Sequence, residues 1–243
     1  MWKVVAVIFN HQLAASITFH NFLHIFRTGR GTGTATLESK LLHQLAALRE
    51  EVLYVIFLDL HKAYAALDRS RCFEILEGYG VGPWSCQLLR TYWRRLKMVA
   101  RAGGYYGTAF KVDWVVTQGD PISPIIFNVV VDAVVRHWVM MKDAEEQSES
   151  GKEGRHQNAL FYADNGMVAS LDPRWLQGAF IALFSLFNRV VLQTNVGKTV
   201  NMVCCPCQAA GTQSEAVYGQ WMAVKGPSYR ERQKVWLQCR ECG

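Results

Sequence analysis

Apolar positions change period from one segment of the chain to the next. Residues 34–50, TATLESKLLHQLAALRE, set Leu37, Leu41, Leu45 and Leu48 on one side at helical spacing, with Glu38, Lys40, Arg49 and Glu50 elsewhere. That pattern predicts an amphipathic helix. The next run, VLYVIFLDL (52–60), is apolar on both alternations and rich in β-branched and aromatic residues, as in a central strand covered on both faces. Asp59 stands near its end. A carboxylate there is costly unless it is paired, exposed at the mouth of the strand, or bound to a cation.

Two helices are predicted over 69–78 and 83–97, the second opened by Gly82 and Pro83. Trp84, Leu88, Leu89, Tyr92, Trp93 and Leu96 form its apolar side, which leaves Arg90, Arg94 and Arg95 for solvent or phosphate. A hairpin over 97–116 turns at Gly103 and Gly104, and the loop TQGDPISP leads into a helix that starts at Ser123 and Pro124. Residues 125–141 are apolar nearly all round and predict a core helix, whereas polar residues 142–158 predict a surface loop. ALFYADNGMVAS (159–170) reads as a second hairpin, tipped by Asp164 and Asn165. Asn-Gly alone would satisfy such a turn, so the extra carboxylate needs another reason. Asp172 and Pro173 then cap a helix that carries Trp175, Phe180, Leu183, Phe184 and Phe187. The last forty residues lose periodicity, and no internal repeat is present. The elements imply an α+β fold with helices on one side of a sheet. Asp59 and Asp164, 105 residues apart, can meet at one edge of it, a geometry suited to a metal site.

Composition narrows the partners. A chain of 243 residues, 50% hydrophobic, buries one large core, with room for a small appendage. Between Arg69 and Lys111 there are eight basic side chains against Glu74 and Glu77, an excess equal to the whole net charge of +6. A solvated helix face and a nucleic-acid track both account for such a cluster. Seven cysteines without regular spacing point to reduced thiols in an intracellular protein. The N-terminal apolar run breaks at Asn10, His11 and Gln12, so export is not expected. Residues 125–141 carry Asp132, Arg136 and His137 and fall short of the ~20 apolar residues of a membrane span, so no membrane partner is expected.

The motifs FRTGRGTGTAT, VIFLDLHKAY, TQGDPISPIIFN, LFYADNG and LQTNVGKT, in this order, resemble the reverse transcriptase domain of non-LTR retrotransposons and group II introns. The resemblance runs from Phe26 to Met202 and sets off residues 1–25 as an atypical N-terminal segment and 203–243 as a cysteine-containing tail. It implies a right-hand polymerase palm with partial fingers, an antiparallel sheet covered by helices, and RNA-directed DNA polymerisation. The partners implied are an RNA template, a DNA primer and a dNTP; oligomeric state is left open. Two Mg²⁺ ions would stabilise the attacking and leaving oxygens, with Mn²⁺ as a substitute. By the resemblance, Asp59 and Asp164 bridge them and the Leu60 carbonyl adds a ligand. Arg27 and Arg30 grip the triphosphate. Tyr64 packs on the deoxyribose, Gln118 and Gly119 line the templating base, and Lys198 approaches the leaving pyrophosphate.

Two positions depart from the family pattern. Tyr-Ala-Asp-Asp is usual where this chain has Asn165, and Asp is usual where it has Ala65. Both remove a carboxylate, which predicts impaired catalysis; a non-catalytic nucleic-acid-binding remnant is the competing reading. The resemblance also implies a shortened domain lacking thumb helices. Zinc is not expected: CRECG supplies one C-x-x-C, and Cys204, Cys205 and Cys207 are poorly spaced to complete four ligands.

Overall fold

The structure is a computed structural model that describes residues 2–112, 116–117, 119–148 and 158–205. Helix α1 (Trp2–Ser16) precedes α2 (Thr32–Leu48), strand β1 (Leu53–His61), a single turn α3 (Ala63–Ala66), α4 (Arg69–Gly78) and α5 (Pro83–Arg95). Four short strands follow: β2 (Lys97–Met98), β3 (Arg101–Ala102), β4 (Tyr105–Tyr106) and β5 (Phe110–Lys111). Helix α6 (Ser123–Ser148), hairpin strands β6 (Asn158–Tyr162) and β7 (Asn165–Ser170), α7 (Pro173–Arg189), β8 (Gln193–Thr194) and β9 (Val200–Cys204) complete the described chain.

The main sheet is antiparallel, in the order β6, β7, β1. Beyond β1, its free edge is shared: β9 pairs with Leu53 to Phe57 and β8 with Leu60 and His61. The two apolar alternations of β1 go to two different cores. Ile56, Leu58 and Leu60 join the large core with residues of α6 and α7. Leu53 and Val55 pack in a smaller cluster with Ala46 of α2, Leu160, Met167, Ala169 and Met202. Helices therefore lie on both faces of the sheet, which corrects the one-sided arrangement expected from the sequence. α2 covers only the start of the second face; farther along, Phe57 is exposed and Asp59 is half-buried.

The leucine stripe of α2 is turned the other way from expectation. Leu37, Leu41, Leu45 and Leu48 are exposed, while Ala46, with Leu42 beside it, meets the sheet. A small side chain at Ala46 lets the helix approach the strands, and helical spacing alone does not say which of two apolar faces wins. Helix α6 also runs on to Ser148 through polar residues expected to be loop. Alanine, glutamate and glutamine there continue a helix readily once the core segment has nucleated it. The lengthened helix has a stretch, Ser123–Ala144, long and apolar enough to cross a membrane, contrary to the shorter span read from the sequence. Much of that stretch is spent in the core, where Ile126, Val135 and Trp138 are fully buried.

Residues set apart as an N-terminal segment contribute to the same core: Ala6, Phe9 and Leu13 of α1 pack with α6. Asp132, fully buried on α6, ties this region down. Its Oδ1 accepts the His20 N–H at 2.5 Å, and its Oδ2 accepts the Tyr79 hydroxyl at 2.5 Å and Arg136 Nε at 2.6 Å. A buried carboxylate is tolerable because each oxygen is met by a donor and the charge is paired. Asp68 and Asp172 cap α4 and α7 through the N–H groups of Ser70 and Arg71, and of Arg174 and Trp175.

Candidate active site

The register of the sheet joins the two segments that carry the polar motifs. Asp59 stands directly opposite Asn165 across β1 and β7. One residue on, the Leu60 N–H donates to the Asp164 carbonyl at 2.7 Å, and on the other edge Asn195 N–H donates to the Asp59 carbonyl at 2.7 Å. Residues 105 positions apart are thereby fixed at one end of the sheet. Side chains alternate between faces, so Asp59 and Asn165 share the face that carries Leu53, Val55 and Met167, beyond the part that α2 covers. The N–H and carbonyl of one strand residue point to the same side, so the Leu60 carbonyl also faces the hairpin while its side chain is buried in the large core.

The hairpin turn is Ala163–Asp164, because Asn165 already belongs to β7. Ala163 takes φ +54, in the left-handed region where glycine is favoured. Gly166 is required for a different reason. A β-carbon there would lie 2.9 Å from Leu58 and from the Phe161 ring. The Asn-Gly pair that looked like turn chemistry is thus the first step of a strand, with glycine admitting close packing beneath it.

Donors surround both carboxylates. Lys198 Nζ lies 3.8 Å from Asp59 Oδ1, with the lysine mostly exposed and the carboxylate 17% exposed. The Asn165 amide donates to Asp164 Oδ1 at 3.3 Å. The Tyr64 ring packs 5.0 Å from that of Phe127, and its phenol is pushed up by burial and then by the charge of Asp164, which puts it within electrostatic reach of the hairpin. Ala65, beside it, is exposed and offers no ligand. Among the described residues no three His, Cys, Asp or Glu side chains cluster to hold a metal. The donor set is two carboxylates, one backbone carbonyl and one amide. Mg²⁺ suits so sparse a set, since it is commonly bound through one or two carboxylates together with phosphate and water.

The other expected residues are spread around this face. Arg27 Nη1 donates to the carbonyls of His20 and Leu23 at 2.7 and 2.9 Å, and burial holds its guanidinium below the ordinary range. Arg30 Nη1 donates to the Asn21 carbonyl at 2.6 Å and lies 3.5 Å from Glu38. These contacts shape the glycine-rich loop around buried His24. Gly119 has φ +88, a conformation that needs glycine, while Gln118 lies outside the described residues. Arg90 lies over the Phe73 ring at 4.1 Å and pairs with Glu77 at 3.4 Å, with its side chain still exposed. Arg94 and Arg95 are exposed. Cys204 ends β9, its thiol pushed up to about 12 by burial; Cys207, Cys239 and Cys242 lie outside the described residues. Sequence patterning gave no role to Tyr162, which stands directly opposite Asn165. The period-two alternation from Leu160 was the available signal.

Comparison with known proteins bears on the family and the fold. The profile of the family described as reverse transcriptase (RNA-dependent DNA polymerase) matches residues 2–232. The Retrovirus-related Pol polyprotein from type-2 retrotransposable element R2DM of Drosophila melanogaster is 29% identical over 83 residues. That match covers 34% of this chain and 8% of the polyprotein. Among solved structures, telomerase from Candida tropicalis in complex with the TWJ fragment of telomeric RNA superposes with a TM-score of 0.56 at 14% identity. It covers 89% of this chain and 35% of the telomerase chain. Telomerase from Candida albicans, in complex with the same kind of fragment, gives 0.58 at 12% identity over 82% of this chain and 35% of its own. At these identities the likeness is one of fold.

Proposed function

The chain belongs to the reverse transcriptase (RNA-dependent DNA polymerase) family, and on that premise we propose that the open end of its sheet is a nucleotidyl-transfer site that Asn165 leaves weak. The observation that carries this reading is the register that sets Asp59 opposite Asn165 and bonds Leu60 to Asp164. Asp59, Asp164 and the Leu60 carbonyl would hold divalent cations, Mg²⁺ or Mn²⁺. Such cations would supply positive charge to the attacking and leaving oxygens of a phosphoryl displacement.

The remaining work falls to the chain's own side chains. Tyr64, braced by Phe127, forms the wall against which the sugar packs. Gly119 lets the loop backbone approach the template and nucleotide closely. Lys198 exchanges its contact with Asp59 for the departing pyrophosphate, where it supplies charge or a proton. Arg27 and Arg30 meet the triphosphate only with the guanidinium edges that their loop contacts leave over. Template RNA and DNA primer cross the face beyond α2.

Asn165 places a neutral amide where a third carboxylate would compensate cationic charge, and Ala65 removes another nearby. Primer extension on an RNA template therefore runs very slowly with Mg²⁺ and is partly restored by Mn²⁺, which ranks with the ions suited to oxygen ligands. Asn165→Asp raises it, Ala65→Asp in addition raises it further, and Asp164→Ala abolishes it. Robust Mg²⁺-dependent extension by the unaltered chain refutes the weakened-site reading. Silence in every variant favours the second reading, a nucleic-acid-binding protein without catalysis.

A further inference from the structure

Between α5 and α6 the chain makes a ribbon whose surface is hard to explain as part of a closed fold. β2 pairs with β5 and β3 with β4, and Gly103 and Gly104 turn the ribbon at φ +56 and +87. From Leu96 to Val112 its charges are Lys97, Arg101 and Lys111, with no Asp or Glu. Its rings stand in solvent: Tyr105 is 82% exposed, Tyr106 69% and Phe110 50%. Leaving large rings in water forgoes their burial energy, and several on one small ribbon mark a contact surface rather than scatter.

Pairing adds a second, independent observation. Lys97 and Lys111 are directly opposite each other across β2 and β5. Like charges so placed destabilise a strand pair, and an anion between them reverses the sign. The Arg101 guanidinium lies over the Tyr106 ring, 5.3 Å from its centroid, so charge and π-face are presented together. At the root of the ribbon a cavity of about 270 Å³ is lined by Lys3, Arg95 and Lys97 against a single acid, buried Asp120, and reaches Gly119. Cations therefore border a path from the ribbon toward the loop that the proposed function puts beside the template.

We infer that the ribbon from Lys97 to Lys111 is a binding surface for single-stranded nucleic acid. A phosphate lies across Lys97 and Lys111, further phosphates follow the rim of the Lys3–Arg95 cavity, and unpaired bases stack on Tyr105, Tyr106 or Phe110. Stacking on exposed rings beside a cationic track tolerates any sequence, because every base has a π-face. An apolar protein partner would also cover rings, but it would leave the opposed lysines unrelieved. That the strand is unpaired template rests on the function proposed above; binding itself does not.

The test is fluorescence anisotropy of a labelled oligouridine with the full chain, titrated over a range of salt. Chelator is present, and primer, dNTP and divalent cation are omitted. A failure of polymerisation thus leaves the result standing, and failure here leaves the polymerase reading standing. Tyr105→Ala with Tyr106→Ala weakens binding about 5- to 150-fold per stacked base, with the salt slope unchanged. Lys97→Ala with Lys111→Ala lowers that slope by about 0.7 for each phosphate no longer neutralised. Tyr106→Trp retains binding, and an RNA duplex of equal length is insensitive to ring removal. All these side chains are exposed, and thermal melts check that the variants fold. Absence of binding by the unaltered chain, or affinity and slope that neither double variant moves, overturns the inference. So does duplex binding that falls as far as single-strand binding, and ring substitutions that change only self-association in sedimentation assign the ribbon to a protein contact instead.

Discussion

Asn165→Asp should lower the stability of the protein without a divalent cation and enlarge the stability that a cation adds. The Asp59–Asn165 pair lacks mutual hydrogen bonds, since the ladder bond at this point runs from Leu60 N–H to the Asp164 carbonyl. Pairs of that kind bring side chains closest, with β-carbons about 4.5–5.5 Å apart. Two carboxylates about 5 Å apart repel by roughly 1 kcal/mol at the dielectric constant of water and about 3 kcal/mol at an effective value of 20. The substitution also loses the amide donation to Asp164. In chelator the variant should therefore be about 1–3 kcal/mol less stable, at roughly 2–4 °C of melting temperature per kcal/mol for a chain of this size. A cation at a hundred times its dissociation constant returns about 2.7 kcal/mol, and the three-carboxylate site reaches that ratio at lower concentration than the native one. Calorimetric melts of both proteins in chelator and in Mn²⁺ measure the two effects. A variant as stable as the native chain in chelator, or one that gains no more from Mn²⁺, would mean that residue 165 does not share a charged site with Asp59.

Gly166→Ala should cost about 1–3 kcal/mol in urea unfolding, because the new methyl meets Leu58 and Phe161 at 2.9 Å and the hairpin must shift. Asp132→Ala should cost about 1–3 kcal/mol by the same measurement for each donor it strands, the Tyr79 hydroxyl and the His20 N–H, while half-exposed Arg136 turns to water. Burial holds His24 and His20 below the usual imidazole range. Just below pH 6.5 the unfolded chain then binds more protons than the folded one, so stability falls from pH 7 to pH 5. His24→Gln should flatten that fall in pH-dependent melts.

Much of the site was legible because the chemistry that needs it also patterns the sequence. A doubly apolar strand ending in a carboxylate, and a hairpin carrying a carboxylate that no turn requires, identify β1 and the β6–β7 hairpin before their pairing is known. Helix starts at Gly82–Pro83 and at Asp172–Pro173 were equally clear, since caps act within one turn of chain. What failed was long-range. Which face of α2 meets the sheet depends on a second core formed by Leu53, Met167 and Met202, which helical spacing around Leu37 and Leu41 does not encode. Asp132 reads as an awkward charge in a core helix, and its partners His20 and Tyr79 are 112 and 53 residues away.

The claim that Asp59 and Asp164 form one cation site is tested most directly by titrating Mn²⁺ into the full chain and following the free ion by electron paramagnetic resonance. Asp59→Asn and Asp164→Asn are compared with the unaltered protein, each checked for folding by its melt. Either substitution alone should remove the same tightest class of bound Mn²⁺, and the double variant should remove no more. Tight binding that survives either single substitution, or two losses that add as independent sites, would contradict that claim.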